Sequence, residues 1–317
     1  MFSWSDTQRP VVALAPMAGV TDSSYRQLIK MIEPSTIVYT EFLSSDAIFY
    51  GGDKTMRMMQ FNAEKERPFI VQIFGADPDH FLEAAKVIEG LGADGIDINM
   101  GCPAAKVVSS CHGSALIKNS DLAAELVQAT KKAVSIPVSV KTRLGWDTKE
   151  TLVEFGKKMV DAGAEALAIH GRTYQQKYKG DADWDPIYEL KKNVNVPVLG
   201  NGDVRSAQIA VDKLQNLDGV MVGRGTYGNP WIMRDIKKAF ETGVIENTKE
   251  SLTFEQKIPV ILQHCELAVE HKGEEKGILE MRKHFSSYAR GFDGAADLRG
   301  RLVHACTLKD VKDLLKY

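Results

Sequence analysis

Cysteine is scarce in this sequence. There are four, Cys102, Cys111, Cys265 and Cys306, and no two of them form a C-x-x-C pair. Their scatter argues against a disulfide framework or a thiolate zinc site and for a reducing compartment; no metal is expected. No apolar run is long enough to span a bilayer, so no membrane association is expected. The opening stretch MFSWSDTQRP lacks a basic segment followed by an apolar one. It reads as no secretory leader, and the cytoplasm is the expected location. A charge excess is missing too. Lys and Arg number 40 against 42 Asp and Glu, a net of −2, so no global basic field announces a nucleic-acid partner. Any phosphate or RNA binding has to come from local clustering. Finally, no G-x-G-x-x-G follows an apolar run, which counts against an open dinucleotide-binding sheet.

What is present is a repeat of short β-branched runs alternating with longer amphipathic ones. Eight candidate strands stand out: VVALAP (11–16), TIVYTEF (36–42), PFIVQIFG (68–75), GIDINMG (95–101), PVSVKTR (137–143), ALAIHGR (166–172), PVLGNG (197–202) and GVMVGRG (219–225). Helix-like stretches such as 78–93 and 121–134 lie between them, the second with Asp121 as its expected N-cap. Strands alternating with helices mean a parallel sheet, and eight units in about 240 residues fit a closed (β/α)8 TIM barrel of the α/β class. After about residue 245 no strand pattern remains. Three helical stretches follow, with Thr253 and Thr307 as expected N-caps. The expected organisation is a barrel over 1–244 and an all-helical domain over 245–317. Acids and bases balance in that tail at twelve each, yet Arg282, Lys283, His284 and Arg290 crowd one segment.

The strand ends carry the chemistry. The apolar runs stop at Pro16-Met17-Ala18, Glu41, Gln72, Asn99 and Cys102, Lys141 and Arg143, His170 and Arg172, Asn201-Gly202-Asp203, and Gly223-Arg224. In a parallel barrel all these ends meet on one face, where barrel enzymes keep their sites. The seventh and eighth strands end in GNGD and VGRG. Their glycines let backbone N–H groups face an oxyanion, with Arg224 adding charge; the plainer reading is two turns that need glycine for positive φ. Lys141 emerges from an apolar strand, where it can form a Schiff base or stabilise an anion. A phosphate site opposite an inward lysine suits flavin mononucleotide (FMN), with Gln72 and His170 within reach of the ring; a lone histidine there is as often structural.

Cys102 sits between Gly101 and Pro103, at a strand exit rather than inside a buried run. Nucleophile, redox thiol and proton donor are all open roles. No base or resolving cysteine is adjacent, and a thiol with an ordinary pKa of about 8.5 is mostly protonated at neutral pH. A flavin with an acidic thiol opposite suggests reduction of an activated C=C bond, hydride to one carbon and a proton to the other.

The set PMAGVTD (16–22), VQIFG (71–75), DINMGCPAAKV (97–107), GSALI (113–117), VKTRLGW (140–146), HGRT (170–173), GNGDV (200–204) and VGRGTYGNPW (222–231) resembles the tRNA-dihydrouridine synthases, and their bacterial branch in particular. The resemblance implies an FMN barrel with a helical tRNA-binding domain, NADPH as reductant, and reduction of uridine C5=C6 in tRNA. Hydride would pass from flavin N5 to C6, and Cys102 would give the proton to C5. Pro16, Met17, Ala18, Gln72, Lys141, His170, Asn201, Gly202, Asp203, Gly223 and Arg224 would line FMN. Asn99 would contact the target base, and Arg282, Lys283 and Arg290 would face RNA. A monomer is expected. The chain departs from the family at SSCH (109–112), which puts Cys111 and His112 on a loop expected over the site. Rival readings are a flavin barrel acting on a free pyrimidine, a Schiff-base aldolase using Lys141, and a non-catalytic RNA-binding barrel.

Overall fold

The computed structural model of the chain describes residues 2–316, apart from the Lys106 side chain. Among the described residues nine strands run in chain order: β1 Val11–Leu14, β2 Val38–Tyr39, β3 Leu43–Ser44, β4 Phe69–Phe74, β5 Gly95–Met100, β6 Val138–Arg143, β7 Ala166–His170, β8 Val198–Asn201 and β9 Gly219–Val222. Their order in the sheet is β1-β9-β8-β7-β6-β5-β4-β2, with β3 also beside β4. Every pairing is parallel. A parallel bridge between Ala13 and Ile37 closes the ring. This is the expected TIM barrel, with one refinement: the second run splits into β2 and β3. Buried Thr40 causes the break, because its Oγ1, rather than a backbone carbonyl, accepts the N–H of Gln72 at 2.9 Å.

Strand periodicity sorts the side chains. Val11, Ala13 and Ala15 of the first run, with Tyr39, Ile70, Ala166, Ala168, Leu199 and Met221, form an apolar cluster inside the ring, joined by Trp4. The alternate residues, Val12 and Leu14 among them, pack outward on the helices. Further along the same inward faces come Gln72, Asp97, Asn99, Ser139, Lys141, His170 and Asn201. The barrel therefore has an apolar floor and a polar mouth.

The helices between strands follow their caps. Asp77 accepts from Asp79 and His80 N–H ahead of Pro78–Gly90, with proline in the first turn where no donor is needed. The cap expected at Asp121 belongs to Asn119, which accepts from the Leu122 N–H at 3.2 Å and starts helix Ser120–Ala133. Asp121 lies in the first turn instead, where a carboxylate meets the helix dipole.

No strand follows Val222 among the described residues. The tail comprises helices Thr248–Ser251, Phe254–Lys272, Glu274–Tyr288, Ala295–Leu302 and Leu308–Leu315. Thr253 and Thr307 are N-caps, as expected, and both form capping boxes. These helices enclose a separate core around Ile261, Cys265, Ile278, Met281, Phe285 and Val311. The tail docks on barrel helix Ser23–Ile32, where the Tyr25 ring lies 5.2 Å from His264 and 5.3 Å from His284. Asp22 of the barrel also pairs with Lys272 of the tail, each 12% exposed. No described helix is long and apolar enough to cross a membrane.

Candidate active site

The strand ends surround a cavity of about 750 Å³. Pro16, Met17 and Ala18 line it from the loop after β1, and Asn99 and Cys102 from β5 and its turn. Lys141 and His170 enter from β6 and β7. Asn201, Gly202, Asp203, Gly223 and Arg224 close it from β8, β9 and their loops.

The Cys102 turn is built by hydrogen bonds. Asn99 Oδ1 accepts from the N–H of Gly101 at 3.0 Å and of Cys102 at 2.9 Å. The Cys102 carbonyl accepts from Ser114 N–H at 3.1 Å, which draws in the 3-10 turn Gly113–Lys118. Gly113 permits that approach. It has φ +60°, and a Cβ there would lie 2.9 Å from the Cys102 carbonyl oxygen. Burial pushes the Cys102 thiol up, while the Ala104 N–H and the charges of Arg143 and Lys141 pull it partly back. The net rise keeps the thiol protonated at neutral pH, the state that can donate a proton.

Lys141 Nζ donates to Asn201 Oδ1 at 3.1 Å, and Asn201 Nδ2 donates to the Met221 carbonyl at 2.7 Å. Burial lowers the Lys141 ammonium to about 8, helped by the Arg143 charge and opposed by Asp97 and Cys102. His170 is held well below its ordinary value by burial and by the Lys141, Arg143, Arg172 and Arg224 charges, so its imidazole is neutral. Arg172 Nη1 donates to His170 Nε2 at 3.3 Å, which assigns the ring proton to Nδ1.

The loops after β8 and β9 form a cationic corner. Asp203, at φ +56°, accepts through Oδ2 from Arg172 Nη2 at 2.6 Å and Ala182 N–H at 2.8 Å. Its buried Oδ1 has no hydrogen-bond partner and lies 3.6 Å from Arg205 and 3.8 Å from Arg224. Gly202 has φ +127°, and a Cβ on it would lie 2.7 Å from Ala182 Cβ and 3.1 Å from His170 Cδ2. Glycine is thus required at Gly202 for conformation and space together.

Residues 13–316 match the dihydrouridine synthase (Dus) family. The tRNA-dihydrouridine synthase B of Shewanella oneidensis is 40% identical over 278 residues, covering 87% of this chain and 85% of that protein. The protein of the same name from Xanthomonas campestris is 38% identical over 307 residues, covering 95% of this chain and 90% of that one. This chain belongs to the dihydrouridine synthase family. A 6-hydroxypseudooxynicotine amine oxidase from Pseudomonas geniculata shares the fold alone, with TM-score 0.54 at 13% identity over 78% of this chain and 50% of that one.

Among the residues expected at the site of this dihydrouridine synthase family member, Gln72 is placed differently. It lies outside the cavity lining, fully buried one layer below. Its Nε2 donates to Asp97 at 2.6 Å and its Oε1 accepts from Asn99 at 2.8 Å, so it supports the mouth rather than facing it. The tail cations also divide. Half-buried Arg282, on helix Glu274–Tyr288, donates to the Ala305 carbonyl at 3.0 Å, which ties that helix to the loop before the last helix instead of presenting a charge. Exposed Arg290 donates through Nε to the Ser286 carbonyl, and exposed Lys283 reaches toward Gly19 in the loop after β1. Exposed Cys111 and half-buried His112 lie outside the cavity lining.

Arg143 was named among the polar strand ends without a role, and Tyr178 and Asp97 were not singled out by sequence. Arg143 donates to the carbonyls of Gly101 at 2.7 Å, Thr173 at 3.1 Å and Lys177 at 2.8 Å, and so joins the Cys102 turn to the loop after β7. The Tyr178 ring of that loop contacts the guanidiniums of Arg143 and Arg224, 5.4 Å and 4.8 Å from its centre. The spacing of Arg143 two residues after Lys141 placed it on the same inward face, a signal open to sequence. Tyr178 gave none, because its loop has no periodicity. The sequence signal available at Asp97 is an acid inside an apolar strand.

Proposed function

We propose that this chain is a tRNA-dihydrouridine synthase, reducing uridine C5=C6 in tRNA with FMN as cofactor and NADPH as reductant. The observation that carries the reading is a protonated, half-buried thiol, Cys102, in the same cavity as Lys141 and the cationic glycine corner.

The cavity fits FMN in size and in the sign of its walls. About 750 Å³ lies within the range of small-molecule and cofactor pockets. Arg224, with Gly202, Asp203 and Gly223, would hold the phosphate. Pro16, Met17, Ala18, Lys141, His170 and Asn201 would border the ring. Gln72 would act behind them. Bound FMN, recharged by NADPH, would supply hydride for C6.

The chain's own residues do the rest. Hydride arriving at C6 places negative charge on C5 and the C4 oxygen of uracil, because C5=C6 is conjugated to C4=O. The Cys102 thiol gives its proton to C5, completing addition of one hydride and one proton, and solvent reprotonates the sulfur. Asn99 and Arg143 share the Cys102 wall and carry amide and guanidinium donors for the uracil carbonyls. Lys141 offsets negative charge in a site that excludes much of the water. The base must leave the RNA stack to enter the mouth. Residues 1–244 would hold the base, and residues 245–317 would hold the RNA through Lys283 and Arg290. Such a substrate fits the expected cytoplasmic location, and the chain would act as a monomer.

The test is incubation of the purified protein with NADPH and unmodified tRNA, with dihydrouridine mapped by mass spectrometry. Position-specific dihydrouridine is the expected result. Turnover of free uracil with none on tRNA would reject the reading.

A further inference from the structure

We infer that Asp97 is a positioning residue, fixing through Gln72 and Asn99 the turn that carries the Cys102 thiol. The N–H groups of Gly101 and Cys102 can only donate, and both meet Asn99 Oδ1, at 3.0 Å and 2.9 Å. The Asn99 Nδ2 must therefore point away from the turn, and it donates to Gln72 Oε1 at 2.8 Å. That leaves Gln72 Nε2 facing the floor, where it needs an acceptor. Asp97 Oδ2 takes it at 2.6 Å. Asp97 Oδ1 in turn accepts from Ser139 Oγ at 2.6 Å.

The relay has one polarity from end to end. Turning over either amide would set donor against donor at the turn, or acceptor against acceptor at Asp97. Gln72 and Asp97 are fully buried and Asn99 is 6% exposed, so water cannot repair a reversed contact. An ionised carboxylate is acceptor-only, which makes it the residue type that forces this direction. A buried acid is costly unless bonded, and this one lies beneath the cavity without lining it. The competing explanation is that Asp97 serves only as counter-charge to Lys141.

Three variants separate the two. Asp97→Asn removes the charge but keeps an acceptor for Gln72, with the new amide N–H donating to Ser139 Oγ. Asn99→Asp still accepts from the turn but sets its carboxylate against Gln72 Oε1, and Gln72 cannot turn over above Asp97. In the double variant Gln72 does turn over, donating to the carboxylate at 99 and accepting from the amide at 97. The reversed relay is again fully bonded.

The readout is the rate of iodoacetamide alkylation at Cys102 in the full chain, resolved by peptide mass spectrometry at matched flavin absorbance. Asp97→Asn should stay within about twofold of wild type. Asn99→Asp should react about fivefold faster, the factor carried by one hydrogen bond. The double variant should return to within about twofold of Asp97→Asn. A double variant as fast as Asn99→Asp would overturn the proposal and leave the counter-charge role. If Asn99→Asp does not fold, a folded double variant is itself the rescue. Gln72→Met then reads the same link: about fivefold acceleration is expected, and the wild-type rate would overturn the relay. The inference draws its significance from the proton-donor reading of Cys102. Alkylation nevertheless reports the turn whether or not the chain reduces uridine, so the two can fail separately.

Discussion

Replacing Asp22 with alanine should unseat the tail from the barrel, because one carboxylate does two jobs. It caps helix Ser23–Ile32, accepting from Tyr25 N–H at 2.9 Å, and it pairs with Lys272 of the tail. Losing the cap costs about 1 kcal/mol. Both partners of the ion pair are 12% exposed, so it is worth more than a surface pair. Lys272 keeps Glu280 as a partner, so its charge is not orphaned. The loss should fall below the ~3–5 kcal/mol of a stranded buried charge, at about 1–3 kcal/mol. Asp22→Ala is thus expected to lose about 2–4 kcal/mol. Asp22→Asn keeps the cap and should lose about 1 kcal/mol less.

The pH dependence has a definite sign. Burial alone would push the Asp22 carboxyl up, but the charge and hydrogen bond of Lys272 hold it well below the usual carboxylate range. The unfolded value is about 4, so the stabilisation is complete above roughly pH 5 and fades as pH falls from about 4 downward. Urea unfolding at pH 7 and in acid, run as a double-mutant cycle with Lys272→Met, measures the coupling. If Asp22→Asn matched wild type and the cycle closed at zero, the interdomain ion pair would not be what seats the tail.

Three further outcomes are expected. Lys141→Met should stabilise the ligand-free protein at pH 7 in urea melts yet weaken flavin retention, since burial holds the folded ammonium down at about 8. The unfolded lysine binds more protons between about pH 8 and 10, so wild type should close the stability gap as pH rises through that window; a constant gap would reject the cause. Gly202→Ala, forced to φ +127° with Cβ 2.7 Å from Ala182, should cost at least ~1–3 kcal/mol by urea midpoint and release flavin on dialysis. Neutralising Lys283 and Arg290 together should weaken tRNA binding and reduce the slope of log K against log salt by about 2, whereas an unchanged slope would put the RNA elsewhere.

The barrel was legible because eight short β-branched apolar runs recur between amphipathic stretches, and side-chain parity along the strands brought Asn99, Lys141, His170 and Asn201 to one mouth. What stayed hidden depended on which side chain meets which. The N-cap at Asn119 rather than Asp121 turned on two residues at a helix start. Gln72 was legible as inward but not as bonded at both ends of its amide. Arg282 looked like a free cation until its hydrogen bond to the Ala305 carbonyl was seen. Tyr178 lies on an irregular loop held by Arg143, a contact that no local pattern encodes.

The role of the Cys102 thiol is tested most directly by a single turnover. Wild type and Cys102→Ala, reduced beforehand with NADPH, are mixed with unmodified tRNA, and dihydrouridine is counted against time. The variant should bind tRNA and flavin as wild type does but form dihydrouridine at least about 100-fold more slowly, the lower end for loss of a general acid. Dihydrouridine appearing at the wild-type rate in Cys102→Ala would contradict the assignment outright.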